Sequence, residues 1–207
     1  GRDGAVDFPD LGPIAVAGLR FASAKDLLEQ RVAEQMIGMR ASVSMGQLRS
    51  IQVFVLGEAE RPGSYTVSGL STITNALFAS GGVKPIGSLR NIQLKRGGQV
   101  VRSLDFYDLL LNGDTSNDLR LLPGDVIFIP PVGTTVSVEG EIQRPAIYEV
   151  KPGAVAADIL YLAGGLTPFA DPRTATLERI DDRRNRAVVD VDLTTPQGRG
   201  VRLQTGD

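Results

Sequence analysis

The 207-residue sequence contains no cysteine, no histidine and no tryptophan. Without cysteine there are no disulfides, no thiolate metal sites and no thiol nucleophile, and the redox compartment is left open. Without histidine the commonest general base and a common metal ligand are absent. Aromatic residues make up 5% of the chain, which leaves few platforms for a processive sugar-cleaving groove. No run approaches the roughly 20 apolar residues needed to cross a bilayer. No basic-then-apolar leader opens the chain. One-sided charge is missing too: 22 basic residues face 24 acidic ones, so a nucleic-acid surface is not indicated. The chain starts without methionine and stops at Thr205-Gly206-Asp207, and so reads as an internal piece of a longer protein.

What the sequence does have is apolar content of 42% with 22% charge, the balance of a packed globular chain. It also has a repeat. Residues 53–82 read VFVLGEAERPGSYTVSGLSTITNALFASGG, and 83 positions later residues 136–165 read VSVEGEIQRPAIYEVKPGAVAADILYLAGG, with no gap between the two registers. Eleven of the 30 positions are identical, where average residue usage gives about two. A period of this length makes each copy a small domain.

Taken in order, residues 1–18 alternate glycine and proline (Gly1, Gly4, Pro9, Gly12, Pro13, Gly18) with short apolar segments, Val6-Asp7-Phe8 and Ile14-Ala15-Val16, which predicts turns and very short strands. Ser23 and Asp26 have capping-box spacing, Leu28, Val32 and Met36 line one face, and Gly38 suits a C-terminal cap. A helix over residues 24–37 follows. Residues 51–56 alternate as a strand that Gly57 ends or bulges. Pro62-Gly63 fits a type II corner with positive φ at the glycine; Ala146 resists that in the second copy, predicting a different corner there. Residues 65–67 return as a strand, and residues 71–79 read as a short helix capped by Gly81-Gly82.

Strand patterns follow at residues 91–95 and 100–105. Phe106-Tyr107-Asp108-Leu109-Leu110-Leu111 is a brief apolar run, and Pro123-Gly124-Asp125 feeds the β-forming residues 126–129, which Pro130 stops. Two strands, a helix, then more strands make an α+β unit. Late in the second copy Leu177-Glu178-Arg179 matches Leu94-Lys95-Arg96, and Gly206-Asp207 matches Gly124-Asp125. The second unit therefore lacks its last strand, which predicts a frayed C-terminus or a strand supplied by a neighbouring chain.

The set V-x-V-x-G-E-x-x-R-P-G-x-Y at residues 53–65, the helix ends Ala79-Ser80-Gly81-Gly82 and Ala163-Gly164-Gly165, and Pro123-Gly124-Asp125-Val126-Ile127 resembles the outer-membrane polysaccharide export family of Gram-negative bacteria. Departures are Ala146 for the usual glycine and Ser80 for the usual alanine. The resemblance implies two tandem ubiquitin-like β-grasp units, the soluble-ligand-binding β-grasp (SLBB) domain, at residues 49–132 and 133–207. Before them, residues 1–48 resemble the C-terminal part of a polysaccharide export domain. It further implies a homo-oligomeric ring carrying capsular polysaccharide or exopolysaccharide through the periplasm and outer membrane. The implied partner is an inner-membrane chain-length regulator or co-polymerase, and no cofactor, metal or nucleic acid is implied.

Among candidate site residues, Glu58 with Arg61 and Glu141 with Arg144 flank the first turn within reach of an ion pair that braces the corner. Their alternative role is contact with a neighbouring subunit or a sugar hydroxyl. Tyr65 and Tyr148 are either core or sugar-stacking residues. Gly57, Pro62, Gly63, Gly124, Asp125, Gly140 and Pro145 read as turn residues, and Gly81, Gly82, Gly164 and Gly165 as helix caps. No phosphate-loop lysine follows the glycine pairs. The charged residues 181–186 read as a solvated hairpin tip. Two carboxylates suffice chemically for glycoside hydrolysis, but Glu58 and Glu141 belong to separate copies, so no enzyme is expected. The competing reading is a monomeric carbohydrate- or small-ligand-binding module.

Overall fold

The computed structural model describes residues 4–8, 11–36, 38–44, 49–180 and 185–207. It divides into two compact units, residues 1–48 and 49–207. In the first unit, β1 (Ala5–Phe8) pairs antiparallel with β2 (Gly12–Ala15). The helix α1 (Phe21–Gln35) buries Leu28 and Val32, two of the three residues of the expected stripe. It starts three residues earlier than the capping-box reading placed it. Arg20 is the N-cap and makes no side-chain capping bond, and Ser23 and Asp26 lie inside the helix. Ala22 and Ala24 favour helix strongly enough to carry it back through Ser23. Met36 is the C-cap; Gly38 has the positive φ (82°) expected of it, and Ile37 lies outside the described residues.

In the second unit the first repeat is a five-stranded mixed sheet. β3 (Ser50–Gly57) pairs antiparallel with β4 (Gly63–Ser68) and parallel with β7 (Val126–Ile129); β7 in turn pairs with β5 (Ile92–Arg96), and β5 with β6 (Gln99–Leu104). The order β4-β3-β7-β5-β6 puts the first and last strands side by side in the centre. One face is covered by α2 (Ile73–Ala79). Its Ile73, Ala76 and Leu77 pack with Val53, Val55, Ile92, Leu94, Ile127 and Ile129 in a core that excludes water. The Thr72 amide donates to the Asn75 side chain at the start of α2, and Gly81 and Gly82 close its end on the Phe78 and Leu77 carbonyls.

The apolar run at residues 106–111 is a further helix, α3 (Phe106–Asn112). The Asp105 carboxylate accepts from the Tyr107 amide at its start, and Gly113 (φ 66°) stops it.

The Pro62-Gly63 corner differs from the type II reading. Gly63 is not among the positive-φ glycines and opens β4 directly; the positive φ falls at Gly57 (82°) and at its counterpart Gly140 (88°). The chain leaves the strand at these glycines, and residue 59 bridges Val83 as residue 142 bridges Leu166. Ala146 is therefore no obstacle, because its position needs only an extended conformation.

The second repeat follows the same plan with β8 (Thr135–Val138), β9 (Ala146–Glu149), α4 (Ala156–Leu162), β10 (Ala175–Ile180), β11 (Arg186–Val191) and α5 (Pro196–Arg199). β8 pairs with β9 and β10 with β11; among the described residues no strand lies between β8 and β10. The chain end is not frayed: Leu203 donates to Ala154, Gly206 donates to Thr135, and Asp207 accepts from Ser137 at 2.9 Å. Asp125 accepts from Phe54 in the same way, also at 2.9 Å. Of the expected charged hairpin tip, residues 181–184 lie outside the described residues, while Asn185 and Arg186 are exposed.

Candidate functional site

Each copy of the E-x-x-R-P-x-x-Y sequence builds a clamp between the first hairpin and the helix that follows it. The tyrosine closes the turn: the Tyr65 hydroxyl donates to the Arg61 carbonyl at 2.5 Å, and that of Tyr148 to the Arg144 carbonyl at 2.6 Å. The arginine reaches the helix end instead of the glutamate. Arg61 donates through Nη2 to the Ala79 carbonyl (3.4 Å) and Arg144 to the Leu162 carbonyl (3.1 Å), while their backbone amides bond to Ser80 and Ala163. Helix C-termini offer unpaired carbonyls with partial negative charge, and these win the guanidinium.

Glu58 lies 3.9 Å from the Lys84 ammonium instead, and Glu141 accepts from the Thr167 hydroxyl at 2.6 Å. Lys84 and Thr167 are counterparts at the repeat spacing of 83. The expected Glu–Arg pairs are thus replaced by two separate ties. Tyr148 is buried, which removes its ring as a sugar platform, and Tyr65 is half-buried against the core with its hydroxyl held by the turn.

A second recurring element joins residues far apart in sequence. Asp125 is fully buried and accepts from Arg96 through Nε and Nη2, both at 2.8 Å, and from the Leu122 amide at 2.8 Å. Burial pushes its carboxyl up, but the Arg96 hydrogen bonds, the Leu122 amide and the Arg96 charge outweigh this and hold it below its ordinary value. Asp207 repeats the arrangement with Arg179 at 2.6 and 2.8 Å and with the Gln204 amide at 2.7 Å. Asp125 was legible only as a turn residue; its partner was not.

The two repeats meet at a junction with no counterpart inside either copy. Glu149, 7% exposed at the end of β9, accepts from the Ser88 hydroxyl (2.8 Å) and from the amides of Leu89 (2.8 Å), Arg90 (3.2 Å) and Gly133 (2.9 Å). Its own amide donates to the Tyr107 hydroxyl, and its carbonyl accepts from Arg90 Nε at 2.6 Å. Arg90 also pairs with Asp105 (3.0 Å) and stacks over the Tyr107 ring at 4.2 Å, and Lys151 reaches Asp105 at 3.1 Å. Burial pushes the Tyr107 phenol up, against the lowering effect of the Glu149 amide and the Arg90 charge. Tyr107 and Leu111 also pack against the core of the second repeat. None of these residues was singled out from sequence. The available signal was a glutamate inside a strand where the first copy has Thr66.

Beside this junction lies an open groove of about 850 Å³ between α3, α4 and α5. Leu110, Arg144, Tyr161, Gly164, Thr194 and Arg199 are among its walls. Of the six expected contact residues, only Arg144 faces it. Among the described residues no helix is long and apolar enough to cross a membrane.

These features define a class: two β-grasp modules in tandem, each carrying the same clamp. Residues 51–129 and residues 135–190 each match the SLBB domain. The chain is 30% identical over 154 residues to the polysialic acid transport protein KpsD of Escherichia coli, covering 73% of this chain and 27% of that protein. It is 28% identical over 199 residues to the EPS I polysaccharide export outer membrane protein EpsA of Ralstonia solanacearum, covering 93% of this chain and 52% of that one. The chain belongs to the polysaccharide export family. It spans between about a quarter and about half the length of these curated relatives.

Proposed function

We propose that this chain is a periplasmic part of an outer-membrane export channel for capsular polysaccharide or exopolysaccharide, and that it serves as a non-enzymatic scaffold in a homo-oligomer. Residues 1–48 are then the tail of an export domain, followed by one module at residues 49–132 and another at 133–207. An inner-membrane chain-length regulator is the proposed partner on the opposite side of the periplasm. The observation that carries the reading is the Glu149 junction in a chain similar to export proteins: it makes two modules into a single strut, which a ring needs and a catalyst does not. The clamps support it as well, since the Tyr65 and Tyr148 hydroxyls close the corner and Arg61 and Arg144 each tie it to the following helix end by one hydrogen bond. Glu58 and Glu141 are left as the candidate contacts to a neighbouring subunit.

In-frame removal of residues 49–207 from the parent protein tests this. Surface polysaccharide is expected to fall at least about tenfold, with polymer retained inside the cell and its chain length unchanged. Undiminished surface polymer overturns the scaffold reading, and undiminished polymer of greater length points to a cleaving enzyme.

A further inference from the structure

We infer that the groove between α3, α4 and α5 is a binding site for a carboxylate-bearing glycan segment, of the uronic-acid type. The choice of a glycan as occupant rests on the export reading above; the choice of an acidic one rests on the groove itself.

The groove walls include two arginines, Arg144 and Arg199, and no acidic side chain. Among the described residues neither arginine is paired with a carboxylate. Each is instead fixed by a carbonyl: Arg144 Nη2 donates to Leu162 at 3.1 Å, and Arg199 Nε donates to Leu193 at 2.7 Å. A guanidinium has five N–H donors, so one tether leaves most of them free while holding the fork in place. Two tethered cations without counter-ions, in a concave wall, attract an anion and present planar donors to a carboxylate.

The remaining walls suit a sugar ring. Tyr161 is 63% exposed, and its hydroxyl donates to Asn112 at 2.7 Å, which fixes the ring as a platform at the mouth. Gly164 and Gly165 have positive φ (82° and 88°) and bring bare backbone to the surface, with the Arg144 guanidinium lying over Gly164. The volume of about 850 Å³ lies within the range of small-ligand sites. In the first repeat Phe78 stands at the position of Tyr161 and is as exposed (62%), but it has no hydroxyl to tether it and packs edge-on against Phe106, ring centroids 5.9 Å apart. The site thus belongs to one repeat and to the junction that brings α3 beside it.

The test is an amide-shift titration of the 207-residue chain with trigalacturonate, maltotriose and triglutamate. Trigalacturonate is expected to shift Gly164, Gly165 and Thr194 saturably and to weaken as salt is raised. Maltotriose is expected to bind at least about tenfold more weakly, as is trigalacturonate to Arg199→Gln, whose spectrum away from the groove reports that it is folded. Tyr161→Leu, which keeps both cations, is expected to lose about threefold or more.

Equal binding of maltotriose, equal or tighter binding of triglutamate, shifts confined to other surfaces, or an unaltered Arg199→Gln overturns the proposal. Failed titration together with lost export in cells lacking residues 49–207 removes the groove and leaves the export reading standing. Specific titration with undiminished export removes that reading and leaves an acidic-glycan site.

Discussion

Asp125 is a carboxylate without access to water, and it is tolerated because three donors converge on it: two from Arg96 and one from Leu122. The ionised form is the one these donors hold, so the folded state keeps the carboxyl below its ordinary value. As pH falls, the unfolded chain takes up the proton first. The stabilisation is therefore complete above about pH 4 and disappears as pH drops through the lower folded value. Asp125→Asn is expected to cost about 2 kcal/mol at neutral pH and to flatten the loss of stability below about pH 4. Urea denaturation across that pH range measures both, and an unchanged acid limb contradicts this account of Asp125. The partnership was illegible in sequence because Arg96 and Asp125 are 29 positions apart, and no local pattern links a strand-end arginine to a turn aspartate. The repeated Gly-Asp pairs at 124–125 and 206–207 were visible, but as a turn in the first copy and as a repeat match in the second.

At the scale of strands and helices, much was legible because the two copies vouched for one another. Strand β3, its return strand β4 and the capped helix α2 all fall where alternation and the glycine pair placed them. What escaped was whatever alternation cannot decide. The helix α3 is seven residues of mixed apolar character, too short to show a period, and its Asp105 cap looked like the end of a strand. The Pro62-Gly63 corner was misassigned because proline-glycine is a strong local signal, whereas the positive φ falls earlier, at Gly57 and Gly140 in the two copies. At Gly57 a close approach to β7 adds a second demand for glycine. There a β-carbon would stand 2.1 Å from the Ile129 carbonyl oxygen of β7, while at Gly140 it would meet nothing within 4 Å. Both glycines have positive φ, so alanine strains each by about 1 kcal/mol, and Gly57→Ala must in addition push β7 away. Gly57→Ala is expected to cost about 3 kcal/mol or more and Gly140→Ala about 1 kcal/mol, compared by urea denaturation. Equal costs contradict the role given to the β3–β7 contact.

At the scale of the molecule, the second unit is more than two modules on a string. Glu149 fills its acceptor sites with donors from the loop of residues 88–90 and from Gly133, Arg90 ties it to Asp105, and α3 lends Tyr107 and Leu111 to the neighbouring core. Repeat matching finds what the copies share, and it passed over this junction because the junction is what they do not share. A buried glutamate stripped of its carboxylate leaves several donors unsatisfied at once. The junction then loosens while each module keeps its own core.

The central claim, that the two modules act as one rigid strut, is tested most directly by the distance distribution between spin labels on the two repeats. The cysteine-free chain permits clean labelling at Gln99→Cys and Gln197→Cys, both exposed. The account predicts one narrow distribution that broadens when Glu149→Ala is added. A broad distribution in the chain that keeps Glu149, or one indifferent to its loss, contradicts it.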